Sequence, residues 1–170
     1  MRLTWLPLAI LLIVPQNAIA QNKSTKFVIG IVKDVATDPT TYAPFGVSWL
    51  GKQLDWNSSQ VLFQNGYVEK NSDFTVNGLP RDKPLSYGAG NRKLVLISLP
   101  VLQLSIINNA GTSVVERILI NQYPERRKLI KTLGWVEKIA LNGYIGYKYS
   151  SPNFRQWQIN KDLARREGFR

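Results

Sequence analysis

Chain-breaking residues punctuate this sequence so regularly that they limit the length of any element it can form. Asp38-Pro39, Ala43-Pro44, Asn65-Gly66, Asn77-Gly78, the run Asn108-Asn109-Ala110-Gly111 and Asn142-Gly143 all fall between short apolar runs. Such residues supply positive φ or remove a backbone donor, so they mark turns. Short apolar runs at this spacing are the pattern of a β-rich domain.

The runs themselves read as strands. Residues 26–33 place Phe27, Ile29 and Ile31 against Val28 and Val32, apolar on both faces, which fits a buried strand. Residues 45–50, 60–64 and 74–76 follow as shorter ones. Residues 94–99 and 101–107 are apolar enough to be central, with Pro100 forcing a bend or bulge between them. A turn at 108–111 would join them to 112–121 as the hairpin at the heart of the fold. Asn142-Gly143 suits a type I′ turn joining 135–141 to 144–149, a register that sets Glu137 opposite Lys148.

Two segments read as helices. Leu129, Ile130 and Leu133 recur at helical spacing after Pro124, and Gly134 follows them. Ser151-Pro152 offers a cap and a first-turn proline for a C-terminal helix. The expected fold is therefore β-rich, all-β or α+β: an antiparallel sheet or open barrel of about seven or eight short strands with one short internal and one C-terminal helix.

The first twenty residues read differently. Arg2, an apolar run across 6–14 and the small residues Ala18 and Ala20 form a cleavable secretory signal, too short for a membrane span. The expectation is an exported chain, periplasmic or extracellular and bacterial, whose residues 21–170 form one domain. The apolar stretch 94–107 is broken by Ser98, Pro100, Gln103 and Ser105, so no transmembrane span is expected in the mature chain.

The chain has neither cysteine nor histidine. That excludes zinc and copper sites built on thiolate or imidazole, cysteine nucleophiles and the serine–histidine–aspartate relay, so no metal or cofactor is expected. Carboxylate chemistry stays open. Trp49 and Trp56 near Asp55 form a carbohydrate-site pattern, with Glu69 or Asp73 as the second acid of a glycosidase pair.

Charge is unevenly placed in a chain of net charge +11. Residues 21–116 carry nine Lys or Arg against seven acids, whereas 117–170 carry twelve against four. A concentrated positive field favours anionic partners. Arg126, Arg127, Lys128, Lys131, Arg155, Lys161, Arg165 and Arg166 are the candidate anion-binding residues, interleaved with tyrosines and Trp157. The stretch 77–92, with Arg81, Lys83, Tyr87 and Arg92, is the candidate binding loop. These features point to a non-enzymatic exported module for an anionic polysaccharide, a lipid head group or an acidic protein surface, with nucleic acid disfavoured. Two alternatives accompany it: a structural subunit of an envelope or secretion assembly, and a carbohydrate-active enzyme using the carboxylate pair.

Overall fold

The computed structural model describes the backbone of residues 18–169 and the side chains of residues 24–169. Four α-helices occur among them: α1 (Ala18–Thr37), α2 (Ala43–Gln64), α3 (Tyr87–Gln122) and α4 (Arg127–Arg166). Single 3₁₀ turns sit at Pro39–Thr41, Ser72–Phe74 and Pro124–Arg126. Among the described residues there is no strand, only one isolated antiparallel bridge between Thr75 and Pro84.

The β-rich expectation is thus overturned, and each expected strand lies within a helix or, for 74–76, in the α2–α3 loop. The two hairpins fail for the same reason. Asn108, Gly111, Asn142 and Gly143 all sit inside α3 or α4, where Asn109 and Asn142 bond to each other instead of turning the chain. Glu137 consequently meets Thr112 of α3 rather than Lys148. Pro100 and Pro152 are exposed within α3 and α4, so neither ring meets a neighbouring helix. The short internal helix and the C-terminal helix are two ends of one 40-residue α4. The expected loop 77–92 stops early, because Ser86 caps α3 by accepting from the Ala89 amide, which places Tyr87 and Arg92 in helix. The expected turns at Asn65-Gly66 and Asn77-Gly78 do occur, with Gly66 and Gly78 at φ of 87° and 71°.

Of the leader expected over residues 1–20, residues 1–17 lie outside the described residues. α1 runs unbroken through Ala20 and Gln21, the expected cleavage point.

α2 and α4 each run alongside α3 and form the most extensive helix pair in the bundle. Cross-links fix their direction. Trp56 of α2 packs on Gly90 at the start of α3, and Thr41, just before α2, meets Asn109 far along it, so the two are antiparallel. Lys138 and Asn142, early in α4, meet Ser113 and Asn109, so α4 is antiparallel to α3 as well.

Small and polar residues line the seams. α3 buries Gly90, Leu94, Ser98, Val101, Ser105, Asn109 and Ser113, a spacing of three to four. α4 buries Gly134, Lys138, Asn142, Gly146 and Ser150 at intervals of four, which keeps them on one stripe. Pro44, Ser48 and Gly51 do the same on α2. Small residues let backbones approach closely: a side chain at Gly51 would press on the Ser150 carbonyl, and a Cβ at Gly146 would already touch Pro44. An apolar core cluster, Trp56, Phe74 and Leu94 with Phe63, Leu85 and Ile97 against it, lies at the end of the bundle closed by the α2–α3 loop.

Large apolar side chains point outward. α3 exposes Val95, Leu96, Leu99, Leu104, Ile106, Ile107 and Val115, and α4 exposes Leu133, Trp135, Val136, Ile139, Leu141, Tyr144 and Tyr147.

Candidate functional site

A polar junction forms where the α1–α2 corner crosses α3 and α4. Lys138 stands at its centre because the four-residue stripe of α4 aims it into the seam. Its ammonium lies 3.3 Å from Asp38 Oδ2 and 3.8 Å from Glu116 Oε1, and it donates to Ser113 Oγ at 3.4 Å. Gly134, one turn earlier, leaves the space that the Glu116 carboxyl occupies.

Asp38 caps the Pro39–Thr41 turn, accepting from the Thr40 amide at 3.0 Å and the Thr40 hydroxyl at 2.7 Å. Burial pushes the Asp38 carboxyl up, but those two hydrogen bonds and Lys138 together outweigh it and hold the group below its ordinary value. One turn deeper, the Asn109 amide donates to the Thr40 and Thr41 hydroxyls at 3.0 and 2.7 Å and its carbonyl oxygen accepts from Asn142 at 2.8 Å. The Thr41 hydroxyl donates to the Val35 carbonyl at 2.8 Å, which ties α1 into the network. Asn142 Oδ1, buried, has no partner.

Outward from the junction a cavity of about 1240 Å³ opens between α1, the last turns of α3 and the first turns of α4. Its charged wall holds Arg117, Arg127, Lys131 and Lys138 with Asp34, Asp38 and Glu116, and its apolar rim includes Phe27, Ile118, Ile120 and Trp135. Arg117 pairs with Asp34 at 2.6 Å, while its buried Nε is without a partner. Lys138 takes Asp38 and Glu116. Every acid in the wall is thereby engaged, and among the described residues no acid lies within ion-pair distance of Arg127 or Lys131.

The cationic residues expected to share one face divide between the two ends of α4. Arg126, Arg127, Lys128 and Lys131 occupy its first turns, and only Arg127 and Lys131 line the cavity. Arg126 stacks over the Tyr123 ring at 6.0 Å and lies 3.7 Å from Glu125. Arg155, Lys161, Arg165 and Arg166 stand at the far end, roughly 40 to 60 Å away at about 1.5 Å per helical residue. There Lys161 lies over Trp157 at 4.8 Å and Arg165 lies 3.4 Å from Asp162.

The loop candidates gather at that far end. Arg81 holds a left-handed φ of 67° and donates its amide to the Glu69 carbonyl at 2.7 Å. The Lys83 carbonyl accepts from Val76, the Tyr87 hydroxyl donates to Asn57, and Arg92 is exposed on α3.

Of the carbohydrate candidates, Trp56 is buried in the core cluster, its ring on Phe74 at 5.2 Å, so it offers no platform, whereas Trp49 is exposed. Asp55 accepts from Asn160 of α4 at 3.0 Å. Burial, then the neighbouring Glu69 charge, push its carboxyl up to about 6 against the Asn160 hydrogen bond. Asp73 pairs instead with Lys93 at 3.6 Å. Among the described residues no three acidic side chains gather as a metal site.

Sequence reasoning missed Asp38, Asn109, Glu116, Lys138 and Asn142. The signal that could have found Asn109, Lys138 and Asn142 is the recurrence of mostly small or polar residues every three or four positions from 90 to 113 and every four from 134 to 150, which places them on helical stripes; Asp38 and Glu116 lie off those stripes.

No protein family, curated protein or solved structure matches this chain.

Proposed function

We propose that this protein is a membrane-embedded helical bundle serving as a non-catalytic structural subunit of the cell envelope. One observation carries the reading: polarity is reversed, with polar and small residues in the helix seams and large apolar residues facing out. In water, burying Ser, Asn and Lys while exposing this much Leu, Ile and Val gives up the main driving force of folding. In lipid the same arrangement is favourable, since packing of small residues and interhelical hydrogen bonds hold helices together there.

The dimensions agree. α3 is long and apolar enough to cross a membrane, with 28 % of its most apolar window buried. Residues 94–115 contain no Asp, Glu, Lys or Arg. At about 1.5 Å per residue they extend about 33 Å, close to the roughly 30 Å of a bilayer's hydrocarbon. Arg92 and Lys93 precede this stretch and Glu116 and Arg117 follow it, while Tyr87 and Tyr123 flank the helix where interfacial aromatics belong. Ionisable groups level with it, Lys52, Glu137 and Lys138, are engaged between helices: Lys52 donates to Ser48, to Ser98 and to the Ile97 carbonyl, and Glu137 accepts from the Thr112 hydroxyl. Lys148 is the exposed exception on α4. It lies beside Tyr149, whose carbonyl meets Ser48 near the Lys52–Ser98 level, Ser98 being about one turn inside the Leu94 edge, where a lysine stem can reach towards the interface.

A chain without cysteine suits a direct test. Single cysteines at Leu96, Leu104 and Ile107 in native membranes are expected to resist a water-soluble maleimide until detergent is added, while cysteines at Lys70 and Asn121 react at once. Ready labelling of all five in a chain that stays in the supernatant after lysis without detergent would overturn the reading.

A further inference from the structure

We infer that the cavity between α1, α3 and α4 binds the phosphate head group of an anionic phospholipid, with Arg127 and Lys131 as its charge partners. The inference rests on the membrane reading for the lipid, though the anion site rests on geometry of its own. Asp34, Asp38 and Glu116 are the acids of the wall; Arg117 pairs with Asp34, and Lys138 lies between Asp38 and Glu116. With Arg127 and Lys131 the wall is net positive, and among the described residues these two have no acid within ion-pair distance. They stand one turn apart on α4, so both face the same opening.

Two further observations point to an anion at this place. The N-terminus of α4 has no side-chain cap and no acid in its first turn. It carries Arg127 and Lys128 instead, where the helix dipole disfavours positive charge, and a bound anion reverses that penalty. Arg117, which lines the same cavity, also has a buried Nε without a partner. A phosphate has the oxygens to meet a guanidinium and an ammonium together.

The apolar rim selects the class of phosphate compound. Phe27, Ile118, Ile120 and Trp135 border the charged wall, so the site is amphipathic, polar at depth and apolar at its mouth. It lies just past residue 115, at the head-group level of the proposed span. A free phosphate uses the cations and leaves the rim bare, whereas a phospholipid covers both.

The test uses the full chain purified in mild detergent and placed in nanodiscs of phosphatidylcholine with or without phosphatidylglycerol, lipid retention being read by native mass spectrometry. The wild type is expected to retain phosphatidylglycerol selectively, and Arg127→Gln with Lys131→Gln to lower that retention about tenfold or more, given the strength of a basic side chain at an anionic surface. Arg165→Gln with Arg166→Gln, removing the same charge at the other end, should leave it unchanged. Equal loss in both pairs would reduce the effect to diffuse charge and overturn the site. Competition by inorganic phosphate at equal affinity would overturn the lipid assignment. Circular dichroism confirms that each pair remains helical, and if the first pair unfolds, Lys131→Gln alone carries the same comparison. A chain that enters neither kind of nanodisc fails the membrane reading, an outcome separate from entering both without lipid selectivity, which fails the site.

Discussion

The Asn142 side-chain amide donates to the Asn109 carbonyl oxygen at 2.8 Å, across the seam between two helices whose outer faces at that level are apolar. Asn109 is the more connected partner, since it also holds the Thr40 and Thr41 hydroxyls. Interhelical hydrogen bonds in membrane bundles average about 0.6 kcal/mol and reach about 1.7. Asn109→Ala is therefore expected to cost about 2 kcal/mol in a detergent-unfolding titration, and Asn142→Ala about 1. The reverse order would show that the network is not organised around Asn109.

Gly90 and Gly111 lie on the same helix and should respond oppositely to alanine. A methyl at Gly90 meets the buried Trp56 ring, whose neighbours Phe74 and Leu94 leave it nowhere to move, whereas nothing lies within 4 Å at Gly111. Gly90→Ala should destabilise by about 1–3 kcal/mol through overpacking. Gly111→Ala should be neutral or stabilising by up to about 1 kcal/mol through helix propensity. Thermal unfolding followed by circular dichroism distinguishes the two.

Lys138 faces two carboxylates in a closed seam, so the groups left behind matter more than the bond lost. Lys138→Met is expected to destabilise by about 3–5 kcal/mol, because Asp38 and Glu116 then lie together without a cation. Adding Glu116→Gln should recover part of that loss. A double variant no better than Lys138→Met alone would mean that Glu116 is not coupled to the lysine.

Asp55 gives the fold a pH dependence of defined sign. It lies level with Gly90 and Asn91, beyond the Leu94 edge of the charge-free stretch. Its carboxyl is raised from 3.8 to about 6, first by burial and then by Glu69, so the folded state favours the neutral form. That contribution is complete below pH 3.8 and is lost as pH rises through about 6. Asp55→Asn keeps an acceptor for Asn160 and never ionises. The variant should match the wild type near pH 4 and exceed it in stability at pH 7 to 8; parallel stability curves over that range would count against the shift.

The parts of the fold legible in the sequence are those where a turn signal meets no helix partner. Asn65-Gly66 and Asn77-Gly78 turn the chain, and Pro124 stands just ahead of a helix as expected. Asn142-Gly143 carries the same local signal, but Asn142 lies where α4 supplies a buried donor to Asn109, so packing overrides it, while Gly143 faces open space. The strand reading of 94–121 fails because it took an apolar run to be a central, buried one. On α3 those residues face outward while Ser98, Ser105, Asn109 and Ser113 turn inward. A rule that assigns apolar residues to the interior cannot register that inversion. Of the candidate site, Arg127 and Lys131 were visible as charge, but their acid-free position beside Arg117 depends on α1 and α3 reaching the same place.

The pairing of α2 with α4 constrains how the protein is made. Ser48, Asp55 and Ser59 find their partners in Tyr149 and Asn160, about a hundred residues later in the chain. At about 5–20 residues per second a ribosome needs about 5–20 s to deliver them. Throughout that interval the nascent α2 has hydroxyl and carboxyl groups without their final partners, so it waits near water or beside an insertion factor and settles only when the last segment arrives.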